Sequence, residues 1–159
     1  MTTTPLKRNK NIVSLSKDHH QGLLLCWKIR AGLNKNIELE RIKKYINFFW
    51  LNHLEDHFNQ EETLLFTAMN APVISQAMEE HKTIRLLIAG INSNNILNND
   101  IFSQLANSVE EHIRFEERIL FPFLEQAISS SEMENIGKAL EAHHTEEVKY
   151  EDEFWVRKL

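Results

Sequence analysis

Four Gly and three Pro are all that punctuate 159 positions. A chain so poor in turn residues lacks the sharp connections of a β-sandwich or barrel, while the stretches between its breakers are rich in Leu, Ile, Glu, Lys and Asn. The expected fold class is therefore all-α. The length suits one domain with one sizeable core, and 42% hydrophobic with 26% charged residues is an ordinary globular balance. A net charge of -5 and the lack of any dense Lys and Arg run argue against a nucleic-acid partner. Cys26 stands alone, so it forms no internal disulfide and completes no thiolate metal site. No stretch approaches the roughly 20 apolar residues of a spanning helix, and residues 1–10 lack the apolar core of a secretory signal. The expectation is a cytoplasmic protein with no membrane contact.

Ile12, Leu15, His19, Gly22, Leu23, Cys26, Ile29 and Leu33 recur at three-to-four spacing and predict a first helix ending near Gly32. Asn36 is placed to cap a second, whose stripe through Ile42, Ile46, Phe49, His53, His57, Glu61 and Leu65 meets no breaker before Asn70. At 1.5 Å per residue that helix is roughly 45 Å long. Pro72 suits the first turn of a third helix, which carries Val73, Ala77, His81, Ile84 and Ile88 and stops before Gly90 and an Asn-rich loop over 92–99. Asp100 is placed to cap a fourth, with Phe102, Leu105, Val109, His112, Phe115, Glu116 and Leu120 inward and a bend or break at Pro122. A fifth, over about 131–157, opens on Ser131 with the Ser-x-x-Glu134 spacing of a capping box. Four amphipathic helices with short connections bury their stripes most simply as an up-down-up-down four-helix bundle. It would cover about 12–128, with the C-terminal helix outside it, in a single domain spanning 1–159.

The second and fourth helices carry the same ten-residue pattern. His57-Phe-Asn-Gln-Glu61-Glu62-Thr-Leu-Leu-Phe66 matches His112-Ile-Arg-Phe-Glu116-Glu117-Arg-Ile-Leu-Phe121 at an offset of 55, both reading H-x-x-x-E-E-x-[LI]-L-F. Residues four apart lie one helical turn apart on one face, so an imidazole and a carboxylate of each helix can reach one metal centre. The second Glu of each pair turns about 100° away, toward solvent or a second shell. The first and third helices each supply one His after an acid, Asp18-His19 and Glu80-His81, followed five and six residues later by Leu. His19 is preferred over His20 because it continues the apolar stripe. A third H-x-x-x-E, from His143 to Glu147, lacks the tail, and His143 and His144 sit among acids that suit a solvated face. His53, one turn before His57, reads as a shell or surface residue rather than a fifth ligand. Two core stripes resembling each other through shared Leu, Ile and Phe would not explain two apolar faces each interrupted by His and Glu together. Imidazole and carboxylate ligands without thiolate suit Fe, Mn or Zn, and carboxylates from opposing helices suit bridging between two ions.

These residues resemble the hemerythrin-like, or HHE cation-binding, domains over about Ile12 to Glu125. In that family a four-helix bundle holds a non-haem di-iron centre on one His, then H-x-x-x-E, then one His, then H-x-x-x-E. The resemblance implies metal-ligand roles for His19, His57, Glu61, His81, His112 and Glu116, with Glu61 and Glu116 bridging two Fe ions. Phe66 and Phe121 match a common apolar tail of the family. The oxygen-carrying hemerythrins of invertebrates have a second His one turn from the single His of the third helix, where Ala77 and Arg85 stand here, and H-x-x-x-x-D on the fourth. One ligand fewer leaves a more open site. The implied function is binding of iron and a small ligand such as oxygen, nitric oxide or peroxide, in sensing, storage, detoxification or iron-centre repair. Two rivals use the same residues: a di-iron redox enzyme turning over peroxide or nitric oxide, and a metal-free helical interaction module whose inner His and Glu form a buried hydrogen-bond network. Turnover separates the first, and metal content the second.

Overall fold

The computed structural model describes residues 7–93, 96–143 and 147–156, and among them it is helical with no strand. The amphipathic stripes form α1 (Val13–Asn34), α2 (39–68), α3 (Pro72–Ser93), α4 (99–127) and α5 (Ser130–Glu141). α2 is an unbroken run of Leu39–Phe49, Trp50–Leu54, Glu55–Gln60, Glu61–Leu65 and Phe66–Ala68, in which the second and fourth pieces are π turns and the last a 3-10 turn. α4 likewise joins Asn99–Phe115, a π turn at Glu116–Leu120 and Phe121–Ala127.

Several helix ends differ from the sequence expectation, each for a local reason. α1 passes Gly32 and closes on Asn36, whose φ of 55° is the left-handed conformation that Asn tolerates. The Asn36 N–H donates to the Leu33 carbonyl and the Ile37 N–H to that of Gly32, a Schellman closure. Asn36 thus ends the first helix and does not cap the second, which starts behind Glu38 with no side-chain cap. α3 continues through Gly90 to Ser93, held by fully buried Ile91 just beyond the glycine. Asn92, expected in the loop, is helical and exchanges side-chain hydrogen bonds with Asn47, while Asn94 and Asn95 lie outside the described residues. Asn98, two residues before the expected Asp100, caps α4 by accepting from the Ile101 N–H, and Asp100 sits in the first turn, where the helix dipole favours an acid. α5 is capped by Ser129 through the Glu132 N–H, the same Ser-x-x-Glu signature two residues upstream of Ser131.

Pro122 neither breaks nor ends α4. The π turn before it already directs the Phe121 N–H to the Glu116 carbonyl, so the ladder has skipped the Glu117 carbonyl where the proline arrives. α5 stops at Glu141, well short of 157. His144 lies outside the described residues, and 147–156 follow as a non-helical strap. The strap docks through aromatic rings: Tyr150, Phe154 and Trp155 gather around Tyr45 at 5.0, 5.7 and 5.1 Å between centroids. Asp152 receives both ends of the Arg41 guanidinium at 2.9 and 2.7 Å.

α1 and α3 both pack along α4, and α2 touches α1 and α3. Apolar burial forms two layers. One gathers Leu25, Ile29, Ile46, Phe58, Ile84, Ile91, Phe102 and Val109, and the other Ile12, Leu15, Leu65, Ala77, Leu120 and Phe121 with Met133 and Ile136 of α5. Along α1 and α3 the chain passes from the second layer to the first, and along α2 and α4 from the first to the second. At the changeover every one of these helices turns a His inward, and two add a Glu.

A candidate metal centre between the apolar layers

The buried polar residues among those described are His19, His57, Glu61, His81, His112 and Glu116. Each is carried to the axis by the stripe of its own helix, because it replaces an apolar residue at a core-facing position. His20 is exposed on the other side of α1. Two groups of possible ligand atoms form, each within 4.8 Å of one another: His19, His57, Glu61 and Glu116, and then His81, His112, Glu61 and Glu116. Both carboxylates belong to both groups. His57 Nε2 and His81 Nε2 each stand 3.2 Å from Glu61 Oε1, and His19 Nε2 and His112 Nε2 stand 3.5 and 2.5 Å from Glu116 Oε1. None of these approaches has hydrogen-bond geometry. All four Nε2 atoms and all four Glu61 and Glu116 oxygens are buried without a partner.

The outer nitrogens are all engaged, and by a closed ring of acids. Asp18 of α1 accepts from His57 Nδ1 of α2 at 3.1 Å, and Glu62 of α2 from His81 Nδ1 of α3 at 2.7 Å. Glu80 of α3 accepts from His112 Nδ1 of α4 at 2.7 Å, and Glu117 of α4 from His19 Nδ1 of α1 at 2.8 Å. A carboxylate on Nδ1–H fixes the tautomer that presents a bare Nε2 lone pair inward.

The repeated motif gains a role for each of its fixed positions. Its His and first Glu face inward, its second Glu holds the single His of the next helix, and its Phe packs on that same His. Phe66 lies 5.5 Å from His81, and Phe121 stacks on His19 at 5.4 Å. The π turns make this possible: a hydrogen bond from residue i+5 to residue i stacks positions five apart one turn above each other. Phe66 N–H reaches the Glu61 carbonyl and Phe121 N–H that of Glu116. Phe58 closes the second position further, stacked on His81 at 3.8 Å.

Electrostatics in the metal-free interior follow from two adjacent buried carboxylates. Burial and the facing Glu116 push Glu61 well above the ordinary carboxyl range. Glu116 goes the other way: burial opposes its charge, but neighbouring His112 together with contacts from Glu61 and His19 holds it ionised. His112 loses by burial and gains more from Glu116 and Glu80, reaching about 10, whereas burial and the charge of His112 drive His81 down to about 3. Protons here occupy places that cations would take. A cavity of about 50 Å³ adjoins His19, His57 and His112, between Gly22 and Ile113, with Asp18 and His53 at its side. That is room for a molecule of a few atoms. His53 lies outside both ligand groups, packed against Phe49 at 5.1 Å with its charged form disfavoured by burial. His143 is exposed.

The sequence pattern turns Glu62 and Glu117 toward solvent or a second shell and sets Asp18 and Glu80 before a His, but gives none of the four its partner on the next helix. It treats Arg85 only as a non-ligand and Arg8 as leader. Arg85 Nη1 donates to Glu62 Oε2 at 2.7 Å, and Arg8 Nη2 donates to Glu117 Oε2 and to the Glu117 carbonyl at 2.9 Å each. Nothing in local spacing announces partners 23 and 109 residues away.

A search of curated proteins and of solved structures returned no match. The sequence model of the hemerythrin HHE cation-binding domain matches residues 11–124, which includes all six inward residues and both repeats. With that match over most of its length, the chain belongs to the hemerythrin HHE cation-binding family.

Proposed function

We propose that the protein holds a non-haem di-iron centre and binds a small diatomic or peroxidic ligand at it. The observation that carries this reading is the set of eight buried, unpartnered ligand atoms, four imidazole Nε2 and four carboxylate oxygens. A buried polar atom without a partner is costly, and here they all converge on one place. The same observation disfavours the metal-free interaction module, which needs those atoms to satisfy one another. Two groups sharing two carboxylates suit two ions, and six N and O ligands are too many for one tetrahedral zinc and too few to saturate two octahedral ions. His19 and His57 would hold one ion and His81 and His112 the other, with Glu61 and Glu116 bridging, inside a single up-down-up-down unit supported by the alternating order in which the helices meet the two layers.

Iron bound there would supply reversible one-electron chemistry and an open position for an exogenous ligand. The ring acids hold each Nδ1 proton in place so that Nε2 is the nitrogen offered inward, the phenylalanines keep bulk water from His19 and His81, and the small cavity limits the ligand to a few atoms. Ala77 is fully buried and Arg85 is engaged with Glu62, so neither adds a ligand on α3. With open positions, the reduced centre would give its electrons to oxygen, and water reaching the site would supply the protons of the reduced product. The reduced protein, exposed to oxygen, is expected to oxidise within minutes, and to bind nitric oxide or azide with a change in its optical spectrum. Full recovery of the reduced spectrum on removing the gas, over repeated cycles without reductant, would instead make it an oxygen carrier.

A further inference from the structure

Two arginines stand behind the ring of acids, Arg8 ahead of α1 and Arg85 on α3, and they bind equivalent acids. Glu62 and Glu117 are the second Glu of the two repeats. Glu62 receives Arg85, and Glu117 receives Arg8. Both glutamates are largely buried, with side chains 19 and 29% exposed. Asp18, half exposed, has water to support it, and Glu80 accepts from Gln76 at 2.9 Å. The arginines therefore serve the two acids that hold the inward histidines of α1 and α3.

Each arginine is fixed on a second side. Arg8 also donates to Glu125, whose other oxygen accepts the Asn9 N–H at 2.6 Å, so the leader is latched across α4. It also takes up the Glu117 carbonyl, whose usual helical donor, the Phe121 N–H, is drawn to Glu116 by the π turn. Arg85 lies over the Phe58 ring at 5.4 Å, and Phe58 stacks on His81. His81 is thereby gripped at its edge through Glu62 and on its face through Phe58.

We propose that Arg8 and Arg85 are positioning residues for two separate metal positions, Arg8 acting through Glu117 on His19 and Arg85 acting through Glu62 on His81. Arg8 Nη2 fixes Glu117 Oε2 and Arg85 Nη1 fixes Glu62 Oε2, so each guanidinium holds its carboxylate in one orientation. An ionised carboxylate can only accept from Nδ1–H, so Nε2 faces inward bare. A carboxylate that rotates away no longer holds the Nδ1 proton and permits the other tautomer, whose Nε2–H cannot ligate. The consequence is that residues ahead of α1 belong to the first metal position, and that the two positions are tuned independently.

This inference rests on the di-iron reading, and the test separates the two. The whole protein, stripped of metal, is titrated anaerobically with Co²⁺, whose ligand-field bands report each step of filling. Arg8→Gln is expected to weaken one step by about tenfold to a hundredfold and leave the other nearly unchanged, and Arg85→Gln to weaken the other step. Arg8→Lys, which keeps the charge without the fork, should recover part of the loss. Placed on His19→Ala, Arg8→Gln should add nothing further, and likewise Arg85→Gln on His81→Ala. Arg30→Gln is the control, since Arg30 also links α1 to α4, through Glu110 and Asn107 at 2.6 and 2.8 Å, but reaches no histidine. A second readout needs no metal: nitrogen chemical shifts of His81 should report the Nδ1–H tautomer in the parent protein and a mixture in Arg85→Gln. Equal weakening of both steps, or losses no greater than those of Arg30→Gln, with an unchanged His81 tautomer, would overturn the proposal while leaving the di-iron reading intact. A parent protein that takes up no Co²⁺ and no Fe²⁺ would overturn both.

Discussion

Glu61 and Glu116 are fully buried, and no donor reaches any of their four oxygens. Leaving two such carboxylates charged in a closed interior would cost several kcal/mol each. In the metal-free protein burial and Glu116 push Glu61 toward its protonated form, and Glu116 and Glu80 lift His112 against its burial to about 10. His112 keeps its proton at neutral pH and Glu61 gives its proton up less readily than an ordinary carboxyl, and both must be deprotonated to ligate. Metal affinity should therefore rise with pH through the neutral range, and calorimetry in buffers of different ionisation enthalpy should register protons released on binding. Affinity independent of pH, with no proton release, would contradict this electrostatic picture. A second expectation follows from the same burial. Glu61→Leu removes a buried ionisable group, so the metal-free variant should be as stable as the parent or more stable, by about 1–4 kcal/mol, while the gain in melting temperature on adding iron disappears. Loss of stability in the metal-free variant and a retained gain with iron would place Glu61 outside the metal's reach.

The π turns decide what the helices can present. Residues 61–65 and 116–120 occupy equivalent places in the repeats, and both turns start at the inward Glu. The stripes, the helix count and the ten-residue repeat were legible in the sequence because burial imposes a 3.6-residue period on Leu, Ile and Phe. The π turns were not, since a period count averages over one wide turn; the five-residue step from Glu61 to Phe66 and from Glu116 to Phe121 is their only trace. Helix caps fall two residues from the expected position where several capping side chains stand in a row, as at Asn98-Asn99-Asp100 and Ser129-Ser130-Ser131. Gly32 was read as a helix end and is a packing residue instead. A Cβ there would stand 2.9 Å from both Ile42 Cδ1 and Phe154 Cε1. Gly32→Ala should consequently destabilise the protein by about 1–3 kcal/mol in chemical denaturation, in spite of the better helix propensity of Ala. A stabilised variant would mean that the C-terminal strap does not press on α1.

Viewed whole, the molecule repeats itself across its centre. His19 with Asp18 corresponds to His81 with Glu80, and the two H-x-x-x-E-E-x-[LI]-L-F segments correspond to each other. Every ring acid crosses from its own helix to the next, so the four helices are tied to one another through the histidines that face the centre. Apolar layers lie on both sides of this polar layer, which explains how a core with six ionisable residues stays closed to bulk water. Cations would complete such a core, and metal binding should then be coupled to the stability of the entire bundle. The most direct measurement is the iron content of the metal-stripped protein after anaerobic reconstitution with Fe²⁺, taken together with its melting temperature. Two irons per chain and a clear rise in melting temperature are the expected result, whereas a single tightly held zinc with no iron uptake, or a melting temperature indifferent to metal, would contradict a di-iron centre at the heart of the bundle.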